Sequence, residues 1–390
     1  MAEALSPTDP LALDAQLSDT ERLIRDTVRR YVRERFLPRI AEHFEAGTFP
    51  EDVPRELGEL ELLGMHLSGY GCAGASATAY GLTCMELEAG DSGLRSFCSV
   101  QGSLAMYAIH RFGSEEQKQR WLPAMAKGEA IGCFGLTEPD AGSNPAEMRT
   151  RARRDGDGWV LDGQKMWISS GSIADVAVVW ARTEDGEIGG FLVERGADGF
   201  TAPEMHGKLS LRASVTSELI LDSVRVPAEA RLPEANSLRG PLSCLNEARY
   251  GIVWGAAGAA RACYEAALDY ATTREQFGRK IAGFQLTQAK LAEMAVTVGQ
   301  STLLAMHLGR LKDAGELRPE QVSFGKYHNV RGALDVARSA RTVLGANGIT
   351  LEYPVLRHAN NLESVLTYEG THEIHALVLG QALTGESAFS

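Results

Sequence analysis

The segment Thr367-Tyr368-Glu369-Gly370-Thr371-His372-Glu373-Ile374-His375 concentrates carboxylates, imidazoles and a phenol in one short run. A carboxylate shut in an apolar, water-poor site has a raised pKa and becomes a proton acceptor, so Glu369 is a candidate general base. Gly370 beside it lets backbone approach a bound ligand closely. The competing reading is that Glu369 merely caps the helix that follows. A metal site is not expected here. A zinc-binding HExxH helix sets its histidines four apart, whereas His372 and His375 are three apart with no third ligand nearby.

Other strings exclude further chemistries. GANG at 345–348 lacks the preceding strand and the glycine spacing of a dinucleotide fingerprint. There is no P-loop and no GxSxG elbow. The six cysteines (Cys72, Cys84, Cys98, Cys133, Cys244, Cys263) show no paired-ligand spacing, and reduced, mostly buried thiols are expected. A formal net charge of -12 argues against nucleic acid or an anionic membrane surface as partner. No stretch approaches the roughly 20 apolar residues of a membrane span. The N-terminal stretch, MAEALSPTDPLALDAQLSD, has neither a basic n-region nor an apolar h-region and is acidic, not Arg-rich. No transit peptide is expected, and a cytoplasmic protein fits, with the mitochondrial matrix open for a processed eukaryotic form.

Three segments must position these residues, and 390 residues suit two or three domains. From Ser18 to about Ile131 apolar residues recur at helical spacing, as in Leu23, Ile24, Val28, Tyr31, Val32 and Phe36. Ser18 or Asp19 can cap that first helix, and Ser114 stands three residues before Gln117, a capping-box spacing. Near Cys133 the character changes. WVLDGQKMWIS (159–169), VAVVWAR (176–182), FLVERG (191–196) and ELILDSVRVP (218–227) are β-branched or aromatic runs separated by turn signals. From about Leu242 helical periodicity returns, with small residues dominating 255–268 and permitting close helix approach. The expected domains are 1–132 (α-helical), 133–233 (antiparallel β) and 234–390 (α-helical), packed tightly without a linker.

CFGLTEPDAGSNP (133–145), QKMWISSG (164–171), TTREQFGRKIAGFQ (272–285) and TYEGTHEIH (367–375) resemble, in order, the signatures of the acyl-CoA dehydrogenase family. The resemblance covers nearly the whole chain. It implies that family's fold: an N-terminal α-helical domain, a middle antiparallel β-barrel and a C-terminal four-helix bundle. SGYGCAGASATAYGL (68–82), the stretch from Glu88 through DSGLRSFCSVQGSL (91–104), GKLSLRAS (207–214), LNEARYGIVWG (245–255) and HANNLESVLTYEGTHEIHAL (358–377) are similar to its glutaryl-CoA dehydrogenase branch. That branch implies FAD, a homotetramer, reoxidation by electron-transferring flavoprotein, and oxidative decarboxylation of glutaryl-CoA to crotonyl-CoA and CO2. Alternatives are dehydrogenation of another short acyl-CoA, a glutaryl-CoA dehydrogenase that stops before decarboxylation, and a catalytically silent flavin- or acyl-CoA-binding scaffold.

By resemblance Glu369 is the catalytic base. Phe134, Leu136, Thr137, Gly142 and Ser143 carry over as flavin contacts, Ser143 also toward substrate, and Trp167, Ile168 and Ser169 as residues lying against the flavin ring. Arg274 and Gln285 match positions meeting the pyrophosphate side of FAD from a neighbouring subunit, and a guanidinium suits that bidentate contact. Phe277 reads equally as cofactor contact or bundle core. Thr342, Gly345, Ala346 and Thr371 complete the cofactor set. Many relatives have a Gln before a Gly-Gly pair where this chain has Thr342 and Gly345-Ala346, so Ala346 needs backbone angles that suit a Cβ. Arg95 and Ser96 match contacts to the distal carboxylate of the substrate, Arg249 an acyl-CoA contact, and Glu88, Tyr368 and Gly370 the surroundings of the reacting chain. Composition alone would also allow Arg95 to be a surface cation. Leu94 stands where the branch has an aromatic residue.

Overall fold

The computed structural model describes residues 5–388, so the first four residues of the N-terminal stretch and the last two of the chain lie outside it. Among the described residues seven α-helices come first: α1 (Asp19–Tyr31), α2 (Leu37–Ala46), α3 (Val53–Glu59), α4 (Ala77–Gly90), α5 (Ser92–Ser99), α6 (Tyr107–Phe112) and α7 (Glu115–Ala126). The capping box expected at Ser114 forms, and Ser18, one of the two candidate caps of α1, forms another. Ser18 and Glu21 close the start of α1, and Ser114 and Gln117 that of α7, each pair satisfying two otherwise orphaned N–H groups.

A seven-stranded sheet follows between Gly132 and Val226. Its long central pair, Gly158–Ser169 against Thr216–Val226, is antiparallel, as is Val176–Thr183 against Ile188–Glu194. The sheet is nevertheless mixed, which departs from the purely antiparallel expectation. Gly132–Gly135 runs parallel to Val176–Val179, and Arg151–Ala152 parallel to Arg182–Thr183. The register slips between Lys165 and Ile168, where Trp167 takes φ 64°. That bulge turns an indole out of the pleat.

The chain ends in α8 (Arg239–Thr273), α9 (Gln285–Asp313), α10 (Pro319–Leu344), α11 (Val355–Thr367) and α12 (His372–Thr384). The small residues of α8 are there because neighbours crowd it. A Cβ at Gly258 would stand 1.9 Å from the Met85 carbonyl oxygen, and one at Gly255 1.9 Å from Glu88 Oε2. Conversely, a Cβ at Gly81 of α4 would meet the Trp254 ring at 2.2 Å. One apolar core therefore runs through α4 and α5 into α8 and α9, and out to Phe134, Val178 and Trp180 on one sheet face. A second core lies within the C-terminal bundle and a third inside the curled sheet. All six cysteines are free and five are buried. No helix of the described residues is long and apolar enough to cross a membrane.

Candidate active site

Glu369 lies in the short turn between α11 and α12, not on a helix. It is not the cap of α12, because Thr371 accepts that bond from the Ile374 N–H at 3.2 Å. Two successive residues of the turn occupy left-handed backbone, Glu369 at φ 53° and Gly370 at φ 93°. Only glycine enters that region freely, and a Cβ at Gly370 would also stand 2.9 Å from His375 Nε2. Glu369 as a residue is half-buried, yet its Oε2 is closed off from solvent and has no hydrogen-bond partner. Burial raises its pKa, opposed by the cations Arg95, Lys326 and Arg249.

Those cations arrive from three helices. Arg249 on α8 donates from Nε to the Glu369 carbonyl at 2.7 Å. Lys326 on α10, only 2% exposed, donates to the carbonyls of Tyr368 and of Gly370, the latter at 2.6 Å. Arg95 on α5 is fully buried, which removes the surface-cation reading. Its Nε donates to Glu88 Oε2 at 2.6 Å and its Nη2 to the Tyr368 hydroxyl. Glu88 Oε1 is buried and unpartnered. Among the described residues Arg95 Nη1 forms no hydrogen bond, so part of its five-donor fork is unspent.

The fold sets this cluster rigidly. Asp91 breaks the chain between α4 and α5, capping α5 through the Gly93 N–H at 2.7 Å. Its other oxygen accepts from Arg357 and from Asn361 Nδ2 at 2.8 Å, which ties α5 to α11. Arg95 is thereby registered against Tyr368 and Glu369 at the far end of α11. Ser96 is buried beside Arg95 but makes no hydrogen bond to these groups, and Leu94 is fully buried.

The residues expected to meet a cofactor fall into two groups. Phe134 and Leu136 are buried, Gly142 and Ser143 exposed, and the Met166 N–H donates to the Thr137 carbonyl at 2.9 Å. This bond holds the loop against the strand that carries Trp167, Ile168 and Ser169. Trp167 is 57% exposed on its bulge. The second group sits at the end of the helical bundle. Arg274, Phe277 and Gln285 are exposed, Phe277 by 94%, which removes the bundle-core reading within one chain. The Asn347 side chain bonds the Tyr270 hydroxyl at 2.9 Å, drawing the 345–349 turn toward the end of α8. Thr342 is exposed on the last turn of α10. Gly345 takes φ 59°, ψ −132°, whereas Ala346 is outside the positive-φ region, so its Cβ is accommodated. No hydrogen bond, ion pair or ring contact joins the two groups among the described residues of the single chain.

The sequence did not single out Lys326 or His375 for this site. His375 is buried against Gly370, with its ring held neutral at a pKa of about 3 by burial. His372 stacks on Tyr327, and no cluster of metal-ligating side chains occurs among the described residues.

Three family models match: the acyl-CoA dehydrogenase N-terminal domain over residues 18–129, the middle domain over 133–224 and the C-terminal domain over 239–384. The chain belongs to the acyl-CoA dehydrogenase family. Within it, the chain is 66% identical to the glutaryl-CoA dehydrogenase of Mycobacterium smegmatis, covering 99% of this chain and 100% of that one, with a TM-score of 0.97. A second M. smegmatis glutaryl-CoA dehydrogenase structure, in complex with FADH2, is 61% identical over 99% and 100% of the two chains, with a TM-score of 0.98. The bovine mitochondrial short-chain specific acyl-CoA dehydrogenase is 34% identical over 93% of this chain and 90% of its own.

Proposed function

We propose that the protein is an FAD-dependent glutaryl-CoA dehydrogenase that releases crotonyl-CoA and CO2. The observation that carries the substrate is Arg95. A buried guanidinium with one side of its fork unspent fits an anionic chain end, which would be costly to bury unpaired. A butyryl-type chain has no group to meet it.

The residues fit the cofactor. An exposed Trp167 on a strained bulge, the adjacent open loop at Gly142 and Ser143, and an Arg274 without an ion-pair partner among the described residues suit a flavin ring and a pyrophosphate. FAD, when bound, supplies the acceptor for the hydride that leaves the β-carbon. Glu369 takes the α-proton, its basicity raised by burial. Arg95, Glu88 and Tyr368 orient the distal carboxylate. Loss of that carboxylate as CO2 leaves an electron pair on the γ-carbon, and the proton now on Glu369 can quench it. That no hydrogen bond, ion pair or ring contact joins the two cofactor-facing groups among the described residues of one chain fits a homotetramer in which Arg274 and Gln285 serve a neighbour's cofactor. Electron-transferring flavoprotein as acceptor and a cytoplasmic setting belong to the same reading.

Anaerobic bleaching of the yellow holoenzyme by glutaryl-CoA and butyryl-CoA, with CO2 detection, tests it. Preference for glutaryl-CoA with stoichiometric CO2 is expected. Preference for butyryl-CoA would reject the substrate, and oxidation without CO2 would reject the decarboxylation. A preparation that no acyl-CoA bleaches would be a scaffold.

A further inference from the structure

We propose that Lys326 is a positioning residue for Glu369, holding the backbone on both sides of it and placing a buried positive charge near its carboxylate. This rests on Glu369 being the base. A lone ammonium at 2% exposure is costly to bury, and no carboxylate of the described residues lies within ion-pairing distance of it. An apolar side chain would fill the same space in α10 without that cost. What Lys326 has instead is the carbonyls of Tyr368 and Gly370, while Arg249 Nε holds the carbonyl between them. Three consecutive carbonyls are thus fixed by two cations from α8 and α10, in the turn where Glu369 and Gly370 both have positive φ. Such backbone persists only when its surroundings over-determine it.

The charge acts as well as the bonds. Glu369 is faced by Arg95 from α5, Arg249 from α8 and Lys326 from α10, with Glu88 of α4, Tyr368 and His375 of α12 completing the cluster. Burial brings Lys326 down to about 7, and its positive charge opposes the rise that burial imposes on Glu369. Removing that charge leaves burial less opposed, so the Glu369 carboxyl titrates higher still. Removing the donors lets the turn relax and the carboxylate drift. A neutral Lys326 keeps two N–H groups, enough for both carbonyls, so the bonding outlasts the charge above neutral pH.

The test uses the FAD-loaded full chain carrying Lys326→Met, Lys326→Gln or Glu369→Gln. Readouts are the pH dependence of flavin reduction and infrared titration of the carboxyl C=O band, assigned by its loss in Glu369→Gln. Lys326→Met should lose roughly 10²-fold in kcat, the scale of a misplaced reacting group, with KM little changed. The carboxyl band and the kinetic pKa should both rise by about one unit. Lys326→Gln keeps two N–H groups on a shorter side chain and should recover part of kcat, but not the pKa. An unshifted pKa in either variant overturns the proposal. If Lys326→Met fails to fold, Lys326→Gln carries the same readings. Wild-type flavin reduction in Glu369→Gln would reject the base assignment separately, whatever the lysine variants do.

Discussion

Replacing Arg95 by Met should separate a dicarboxylic substrate from a monocarboxylic one. The structure also shows why the single substitution is a poor experiment. Arg95 and Glu88 form a fully buried pair at 2.6 Å, so losing the arginine strands a buried carboxylate at a cost of about 3–5 kcal/mol. That cost would fall on folding and on every substrate alike. Coupling Arg95→Met to Glu88→Gln removes both charges and leaves the Tyr368 hydroxyl as a weaker donor. What the double variant loses selectively is the charged hydrogen bond from the free Nη1 side, worth about 3 kcal/mol. At about 1.4 kcal/mol per decade this is roughly 10²-fold in kcat/KM for glutaryl-CoA, against less than about tenfold for butyryl-CoA. Stopped-flow flavin bleaching with both esters, on protein checked for FAD content and Tm, reads the ratio directly. Equal losses for the two esters would show that Arg95 supports the site in general and does not read the distal carboxylate.

Glu369→Gln should keep FAD and acyl-CoA binding while slowing flavin reduction by roughly 10² to 10⁴, and near-normal reduction would sink the base assignment. Because burial raises the Glu369 pKa and the base works ionised, flavin reduction should fall as pH drops through an apparent pKa above the ordinary value of about 4.3, read from a pH profile at saturating substrate. A pKa at or below that value would contradict the burial account. Gly370→Ala must hold φ 93° and press on His375, so a loss of about 1–3 kcal/mol is expected in denaturant titration, with activity lost too. Dilution to the monomer should release FAD, since among the described residues no bond joins Arg274 or Gln285 to the residues around Trp167 within one chain; sedimentation showing a monomer that retains FAD at full affinity would refute the shared site.

Elements whose residues carry their own pattern were legible in the sequence. The runs 159–169 and 176–182 lie wholly on strands, and 191–196 and 218–227 do so up to Glu194 and Val226, because β-branched and aromatic residues fit a half-buried pleat. Ser18 and Ser114 announced their helices through local side-chain bonds that need no tertiary context. Arg151–Asp155, reading RARRD, was not legible as a strand. Only Ala152 of it is buried, and it is held by ladders to two neighbouring strands that no local window contains. The parallel pairing of Gly132–Gly135 is non-local in the same way. Within the site, Glu369, Arg95 and Tyr368 were reached through resemblance, but their mutual geometry was not. Lys326 looks like any helical lysine until a turn more than forty residues later folds back to give it two carbonyls.

The charges of the cluster suggest why the site needs its substrate to be complete. Arg95, Arg249 and Lys326 face Glu88 and Glu369, so the unliganded cluster carries an excess positive charge when Lys326 is protonated. Both carboxylates also keep an oxygen that no protein group satisfies. Burying such an imbalance in a well-packed core is unfavourable, and replacement of ion pairs by apolar residues is often neutral or stabilising. A neutral acyl chain would leave the imbalance in place, whereas a chain ending in a carboxylate cancels it at the open side of Arg95. Loss of CO2 leaves its electron pair on the γ-carbon, and once the proton on Glu369 quenches it the negative charge rests on Glu369 and no longer beside Arg95, while the thioester end remains bound. The same electrostatics that draw in a dicarboxylic thioester thus stop favouring its decarboxylated product, which couples the chemistry to release.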